Sequence, residues 1–369
     1  MYESPWTLGD EHKLDRNPTR LWAMTASSAD LRTAGGDSAA RAGESGASAQ
    51  PERPDPPDFF IVGHPKCGTT ALYEMLRSHP QIFMPELKEP WFLAKDMRAR
   101  FQPPRAGSPP ESLAEYLSLF APAAPRQMTG EASSAYLLSH TAAAAIAELR
   151  PDARIVAILR EPASFLRSLH MQLLRTHVET QKDFAKAIAL ESARRAGKRV
   201  PRRSHRPQLL LYSDHVRYVE QLRRYEAAFP SEQLLVLIYE DFRRDNEATV
   251  RRVRRFLGVD EGPPVEVRDA NPTVKRMRSQ QLDELVNVVS VGRGPVSRAL
   301  KAGVKAVTSS GLRDAAIRST QRYVVNGSPQ PPDEQLMLEL RRRFKGEVEA
   351  ASEHLDRDLI TLWGYDALD

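Results

Sequence analysis

Three short runs of consecutive apolar residues, each leading into a polar turn, dominate the pattern of this chain. Phe59-Phe60-Ile61-Val62, Ala153 to Leu159 (ARIVAIL) and Leu234 to Tyr239 (LLVLIY) read as buried strands, being rich in β-formers and bounded by turn residues. Elsewhere the apolar spacing becomes helical. Ala71 to Leu76 is an amphipathic run, and Val216, Val219, Leu222 and Tyr225 recur at helical intervals. The pattern predicts an α/β protein with a central parallel β-sheet flanked by helices. Residues 25–57 are different: rich in Ala, Gly, Ser, Asp and Pro, with almost no large apolar side chains, they cannot pack a core. Residues 1–57 are therefore expected to form a disordered or weakly ordered leader. Met24 leaves open a misplaced start or a separate docking segment. Residues 58–369 are expected to be a single domain, since a chain of 369 residues can bury one sizeable α/β core.

The chemistry concentrates where the first apolar run ends. Gly63 closes it at a tight turn; Lys66, Cys67 and Gly68 follow, and Thr69 and Thr70 open the amphipathic run. Backbone N–H groups at a helix N-terminus, a glycine allowing close approach, two hydroxyls and one cation make an anion site. The nucleotide-binding P-loop, Gly-x-x-x-x-Gly-Lys-Ser/Thr, does not fit, because Lys66 precedes Gly68 and no Gly-Lys-Ser/Thr occurs in the chain. Pro-Lys-x-Gly-Thr-Thr instead resembles the 5′-phosphosulfate loop of sulfotransferases that use 3′-phosphoadenosine 5′-phosphosulfate (PAPS).

Two further segments carry the resemblance. The second apolar run leads into Arg160-Glu161-Pro162, with Ser168 eight positions after Arg160. Members of the family bind the 3′-phosphate with such an Arg and Ser, a charged planar fork plus a hydroxyl donor suiting a dianion. Tyr212 to Val259 resembles the family's amphipathic helix, Phe-Pro break, strand ending in Tyr-Glu-Asp and helix ending in Phe-Leu-Gly. Glu240 and Asp241 there are read as structural. The resemblance spans roughly residues 58–261, with a weaker match at a C-terminal helix and Trp363. It implies a P-loop-like nucleotide-binding sulfotransferase fold. It also implies a donor site made by Lys66, Cys67, Gly68, Thr69, Thr70, Arg160 and Ser168, with Arg276 in a basic loop closing over the cofactor.

Sulfuryl transfer needs in-line geometry, charge stabilisation and a base for the acceptor hydroxyl. Heparan sulfate sulfotransferases, which this region resembles, carry a catalytic Glu in Lys-Glu-x-His-Phe-Phe. Here Lys88-Glu89-Pro90-Trp91-Phe92 places Glu89 23 residues after Lys66, with Trp91 where the family has His. The resemblance makes Glu89 the base and Lys66 the group neutralising charge on the bridging and leaving oxygens. The alternative for Glu89 is a surface carboxylate paired with Lys88 or Arg98. GEASSAYL, Gly130 to Leu137, has Ala132 where heparan enzymes have an assisting Lys, which argues against a heparan-type acceptor. Glu131 and Ser133 are candidates for the acceptor side, with a strand-end turn at Gly-Glu-Ala-Ser as the alternative.

Composition narrows the alternatives. The single cysteine, Cys67, excludes an intramolecular disulfide framework and fits a reducing, cytoplasmic location. No apolar run approaches the ~20 residues that span a bilayer, although Val289 to Val307 could rest on a membrane surface; core packing is the plainer reading. A net charge of +5 and the basic run Arg194 to Arg206 raise nucleic-acid binding, but no zinc-ligand, RNA-recognition or helix-turn-helix pattern accompanies them. The run is read as a solvated loop, with a basic flap near cofactor or acceptor as the alternative. His64, His79, His170 and His177 form no metal-binding pattern, and no metal is expected. The function expected is transfer of a sulfuryl group from PAPS to a hydroxyl of a carbohydrate, glycolipid or secondary metabolite. The alternatives are a nucleotide kinase with a deviant phosphate loop and a non-catalytic nucleotide- or polyanion-binding protein. Acceptor identity and oligomeric state are not legible in the sequence.

Overall fold

A computed structural model of the chain describes residues 55–97, 109–201, 204, 206–262, 276–277, 326–327 and 332–368. The expected leader over 1–57, apart from its last three residues, and the segment Val289 to Val307 lie outside the described residues. Five strands, β1 (Phe59–Gly63), β2 (Ile82–Phe83), β3 (Met128–Ala132), β4 (Arg154–Leu159) and β5 (Leu234–Ile238), form one sheet in the order β2-β3-β1-β4-β5, every pairing parallel. The sheet is the expected one. β1 is buried at every position and β4 at all but its first, because an interior parallel strand is covered on both faces, and this is why both read as unbroken apolar runs.

The helices supply the covers. They are α1 (Thr69–Arg77), α2 (Leu113–Ser118), α3 (Ala142–Leu149), α4 (Pro162–Arg175), α5 (Phe184–Ala189), α6 (Glu191–Arg195), α7 (Tyr218–Glu226), α8 (Tyr239–Arg244), α9 (Asn246–Leu257), α10 (Glu334–His354) and α11 (Leu359–Trp363). Most boundaries have a local cause. Pro162 stands in the first turn of α4 and the Glu161 carboxylate caps that turn, accepting from the N–H groups of Ala163 and Ser164 at 2.9 and 2.7 Å. Asp245 caps α9, which stops at left-handed Gly258. The third strand is shorter than expected. β5 ends at Ile238, and Tyr239-Glu240-Asp241 open α8 instead of finishing the strand.

The strand order reverses direction at β1: the chain moves out to β2, returns through β3, then crosses to β4 on the other side. Open α/β sheets bind ligands beyond the strand C-termini at such a switch point. The Lys66 loop follows the C-terminus of β1, and Arg160 follows that of β4. A separate two-stranded pairing joins β6 (Arg276–Met277) to β7 (Asn326–Gly327) antiparallel.

Candidate active site

Between β1 and α1 the loop turns through Lys66 (φ 66°) and Gly68 (φ 86°), both left-handed. Gly68 is required twice over: a side chain would be strained at that φ, and its Cβ would lie 2.9 Å from the Phe242 ring. No side chain among the described residues caps α1, so its first-turn N–H groups are open to water or a ligand. Arg160 spans from the end of β4 to this loop, its Nη1 donating to the Lys66 carbonyl at 2.9 Å while its guanidinium lies 4.5 Å over the Tyr239 ring. Its Nε and the Oγ of buried Ser168 have no hydrogen-bond partner among the described residues. Burial, then the charges of Arg175 and Arg160, push the Lys66 ammonium below its usual pKa. Two cations thus act on a third, and none of the three has a carboxylate in salt-bridge range among the described residues, a cluster of a kind that can hold an anion. Thr69 is buried and Thr70 half-buried at the head of α1.

Glu89 sits across from the loop. Its backbone is left-handed (φ 60°) and its N–H donates to the Ala132 carbonyl at 3.0 Å, so the end of β3 holds it in place. Its Oε1 accepts from Lys88 Nζ at 3.0 Å and from Ser134 Oγ at 2.7 Å. Burial alone would push this carboxyl up. The Lys88 charge and hydrogen bonds from Ser134, Lys88 and Trp91 outweigh it, holding Glu89 below the usual carboxylate range and ionised at neutral pH. The Lys88 pairing weighed as the alternative is therefore present, but it sets the ionisation of a side chain that also lines a cavity of about 320 Å³ with Pro65, Trp91, Ser134 and Arg206.

Beneath Glu89 lies Glu131, 1% exposed, whose Oε2 accepts from Tyr116 Oη at 2.5 Å and Tyr136 Oη at 3.0 Å. Burial pushes its carboxyl up to about 7 against hydrogen bonds from Ser133, Tyr116 and Tyr136, with the Glu89 charge adding to the rise. A carboxyl whose folded pKa exceeds its unfolded value, ~4.3, binds more protons when folded. Its stabilising contribution is full below that unfolded value and is lost as pH rises toward 7. Glu131→Gln is expected to flatten this slope, so that melting temperatures compared at pH 5 and pH 8 differ less in the variant than in the parent.

Cys67 is fully buried, its N–H donates to the His64 carbonyl, and burial pushes its thiol well up, so it packs into the turn as a neutral thiol. Glu131 and Ser133 do not line the cavity: Glu131 is sealed under two tyrosines, and Ser133 Oγ accepts from the Trp91 N–H at 3.2 Å. The basic run is an exposed stretch over residues 195–199, as expected, but it is packed at its two ends, and residues 202, 203 and 205 lie outside the described residues. Arg194, 1% exposed, pairs with fully buried Glu179 at 2.7 Å; Arg195 pairs with Asp214; Arg206 lies 4.0 Å over the Trp91 ring. His64 and His170 are structural, bonded to Gln221 and Tyr212 respectively. The reading of Glu240 as structural agrees with its bond from Trp363 Nε1 at 2.9 Å. Arg276 is placed only as part of β6, and its side chain lies outside the described residues. Sequence reasoning missed Arg175 and Ser134 as site residues and reached Arg206 only as the end of the basic run whose alternative reading was a flap near cofactor or acceptor. The tandem serines after Glu131 were a usable signal for Ser134; nothing local marked Arg175.

Comparison with known proteins follows this geometry. Residues 57–263 match the model of the sulfotransferase family. A crystal structure of a sulfotransferase from Alicyclobacillus acidocaldarius superposes with a TM-score of 0.50 at 30% identity, covering 70% of this chain and 99% of that one. Mouse heparan sulfate glucosamine 3-O-sulfotransferase 3B1 is 27% identical over 203 residues, 55% of this chain and 46% of its own length. Human carbohydrate sulfotransferase 15 is 52% identical over 40 residues, 11% of this chain and 7% of its own. The chain thus spans less than half the length of these curated relatives. No helix of the described residues is long and apolar enough to cross a membrane, and no group of three His, Cys, Asp or Glu side chains among them could hold a metal ion.

Proposed function

The chain belongs to the sulfotransferase family, and on that premise we propose that it moves a sulfuryl group from PAPS to a hydroxyl on an acceptor held beside Glu89. The reading takes residues 58–369 as one domain and needs no metal; the lone buried thiol suits a reducing, cytoplasmic setting. One observation carries it. Arg160 is bonded to the Lys66 carbonyl, so the cation proposed for the 3′-phosphate and the loop proposed for the 5′-phosphosulfate belong to one hydrogen-bonded unit.

The residues divide the work. First-turn amides of α1 with Thr69 and Thr70 hold the 5′-phosphosulfate; Arg160 Nε and Ser168 Oγ, unpartnered among the described residues, hold the 3′-phosphate. The donor supplies the sulfuryl group: its S–O bond to phosphate breaks as a new S–O bond to the acceptor forms, leaving 3′-phosphoadenosine 5′-phosphate. Glu89 takes the acceptor hydroxyl's proton. Lys66 offsets the negative charge building on the leaving oxygen, with Arg175 adding to the local field.

The test is a thermal shift with 3′-phosphoadenosine 5′-phosphate beside ATP and AMP. A ligand at 100-fold excess over its Kd adds about 2.7 kcal/mol to stability. A rise for the 3′-phosphorylated nucleotide alone, abolished in Arg160→Ala, is the expected result. An equal rise with ATP would favour the nucleotide-kinase reading, and no rise with any of them would remove the donor site.

A further inference from the structure

The cavity beside Glu89 limits what kind of acceptor can enter. Pro65, next to Lys66, and Glu89 both line it, so the place of transfer opens into this space. Its volume of about 320 Å³ is near the lower end of ~300–1,000 Å³ for pockets that take whole small molecules. Much of the remaining wall is hydrocarbon. Leu169 and Leu173 come from α4, and Leu138, Val178 and Leu209 from the connections around it.

The charge on this wall is the deciding quantity. Its ionisable groups, among the described residues, are Glu89, Arg206 and His215. His215 is 1% exposed, its Nε2–H donates to the Leu209 carbonyl at 3.1 Å, and burial pushes it down to about 4, so it is neutral at pH 7. Glu89 is negative and Arg206 positive, and the two charges cancel. Arg206 is moreover partly buried, its guanidinium 4.0 Å over the Trp91 ring and within the field of Glu89. A polyanionic chain needs several cations projecting into its path, and a neutral polar sugar needs many hydrogen-bonding groups. Among the described residues this wall offers a single cation, and its polar groups other than Glu89, Arg206 and His215 are Ser134, already donating to Glu89, together with Gln172 and Thr176.

We propose that the acceptor is an uncharged alcohol or phenol with an apolar body, taken whole into this cavity with its hydroxyl at Glu89. The proposal rests on the sulfotransferase reading and narrows it. Apolar surface supplies the binding, at about 25 cal/mol per Å² buried, and the one carboxylate orients the reacting oxygen. The acceptor oxygen gains the sulfuryl group, Glu89 receives its proton, and 3′-phosphoadenosine 5′-phosphate departs with the electron pair of the broken S–O bond.

The experiment begins with the thermal shift by 3′-phosphoadenosine 5′-phosphate, which judges the parent reading separately. With donor binding in hand, 2-naphthol and 1-decanol are compared with a de-O-sulfated heparin hexasaccharide as acceptors in the presence of PAPS, the sulfate ester being measured by mass spectrometry. The expected result is a kcat/KM at least 100-fold higher for one of the two apolar probes than for the hexasaccharide. Val178→Asp, at a half-buried position on the cavity wall, should cut that value at least tenfold while leaving the nucleotide-induced shift unchanged. A hexasaccharide preferred over both probes would overturn the proposal. So would a protein that binds the nucleotide normally yet neither sulfates the apolar probes nor gains further thermal stability from them.

Discussion

Glu89→Gln is expected to lower kcat by roughly 10²–10⁴-fold, the usual contribution of a positioned general base, with the shift by 3′-phosphoadenosine 5′-phosphate unchanged. The amide keeps the shape and can still accept from Ser134, so the change removes basicity more than packing. The pH dependence follows with a definite sign. A base works when deprotonated, and Glu89 is held below the usual carboxylate range, chiefly by Lys88 and Ser134 acting against burial. The acid limb of the kcat/KM profile should therefore lie lower than an ordinary carboxylate would put it. Lys88→Met removes the nearest cation and should move that limb upward. Profiles of the parent and Lys88→Met, measured with one acceptor, decide the matter: identical limbs would mean that another group is the base.

The largest stability effect is expected away from the chemistry, at Glu179. This carboxylate is fully buried and pairs with Arg194, accepts from Tyr212 Oη at 3.2 Å, and caps the N–H groups of Thr180 and Gln181 at 2.8 Å. Glu179→Ala strands a guanidinium that is 1% exposed, and removing one partner of a buried pair costs about 3–5 kcal/mol. Urea unfolding should show it as a lowered midpoint. The double variant Glu179→Ala/Arg194→Met should recover much of the loss, since an apolar pair leaves no unpaired charge. A single-variant cost below about 1 kcal/mol would mean that the pair is hydrated or rearranges, against the buried geometry.

Both predictions concern residues whose neighbours are distant in sequence, and this distance separates what the sequence made legible from what it did not. β1 and β4 could be read because interior parallel strands need no polar face, so burial and local sequence say the same thing, and β5, although at the sheet edge, carries the same unbroken apolar run. β3 was harder. Met-Thr-Gly-Glu-Ala carries a buried carboxylate whose partners, Tyr116 and Tyr136, are 15 and 5 residues away, so the segment looks like a turn. The loop residues from Lys66 to Thr70 were legible because one turn and one helix start place them all. Arg206 was not: it reaches Trp91 only through the fold, 115 residues along the chain, and in sequence it is one more arginine in a basic run. Arg194 was misread for the same reason, its charge visible and its buried partner hidden. Ser134 lay in a motif already examined, yet only the structure shows that it, not Ser133, bonds Glu89.

Glu161, the cap of α4 beside Arg160, also accepts from Tyr365 Oη at 2.8 Å across 204 positions of chain. During synthesis at ~5–20 residues per second, roughly 10–40 s pass between the two residues leaving the ribosome. Throughout that interval the corner of the nucleotide site has its helix cap but lacks its last hydrogen-bond donor, and α10 and α11 have not docked. Translation timing therefore enters the assembly of the site. The corner that orients Arg160 is completed only when the far end of the described chain has arrived, and a ribosome stalled after α9 would hold out the loop and its cations without the helices that finish their support.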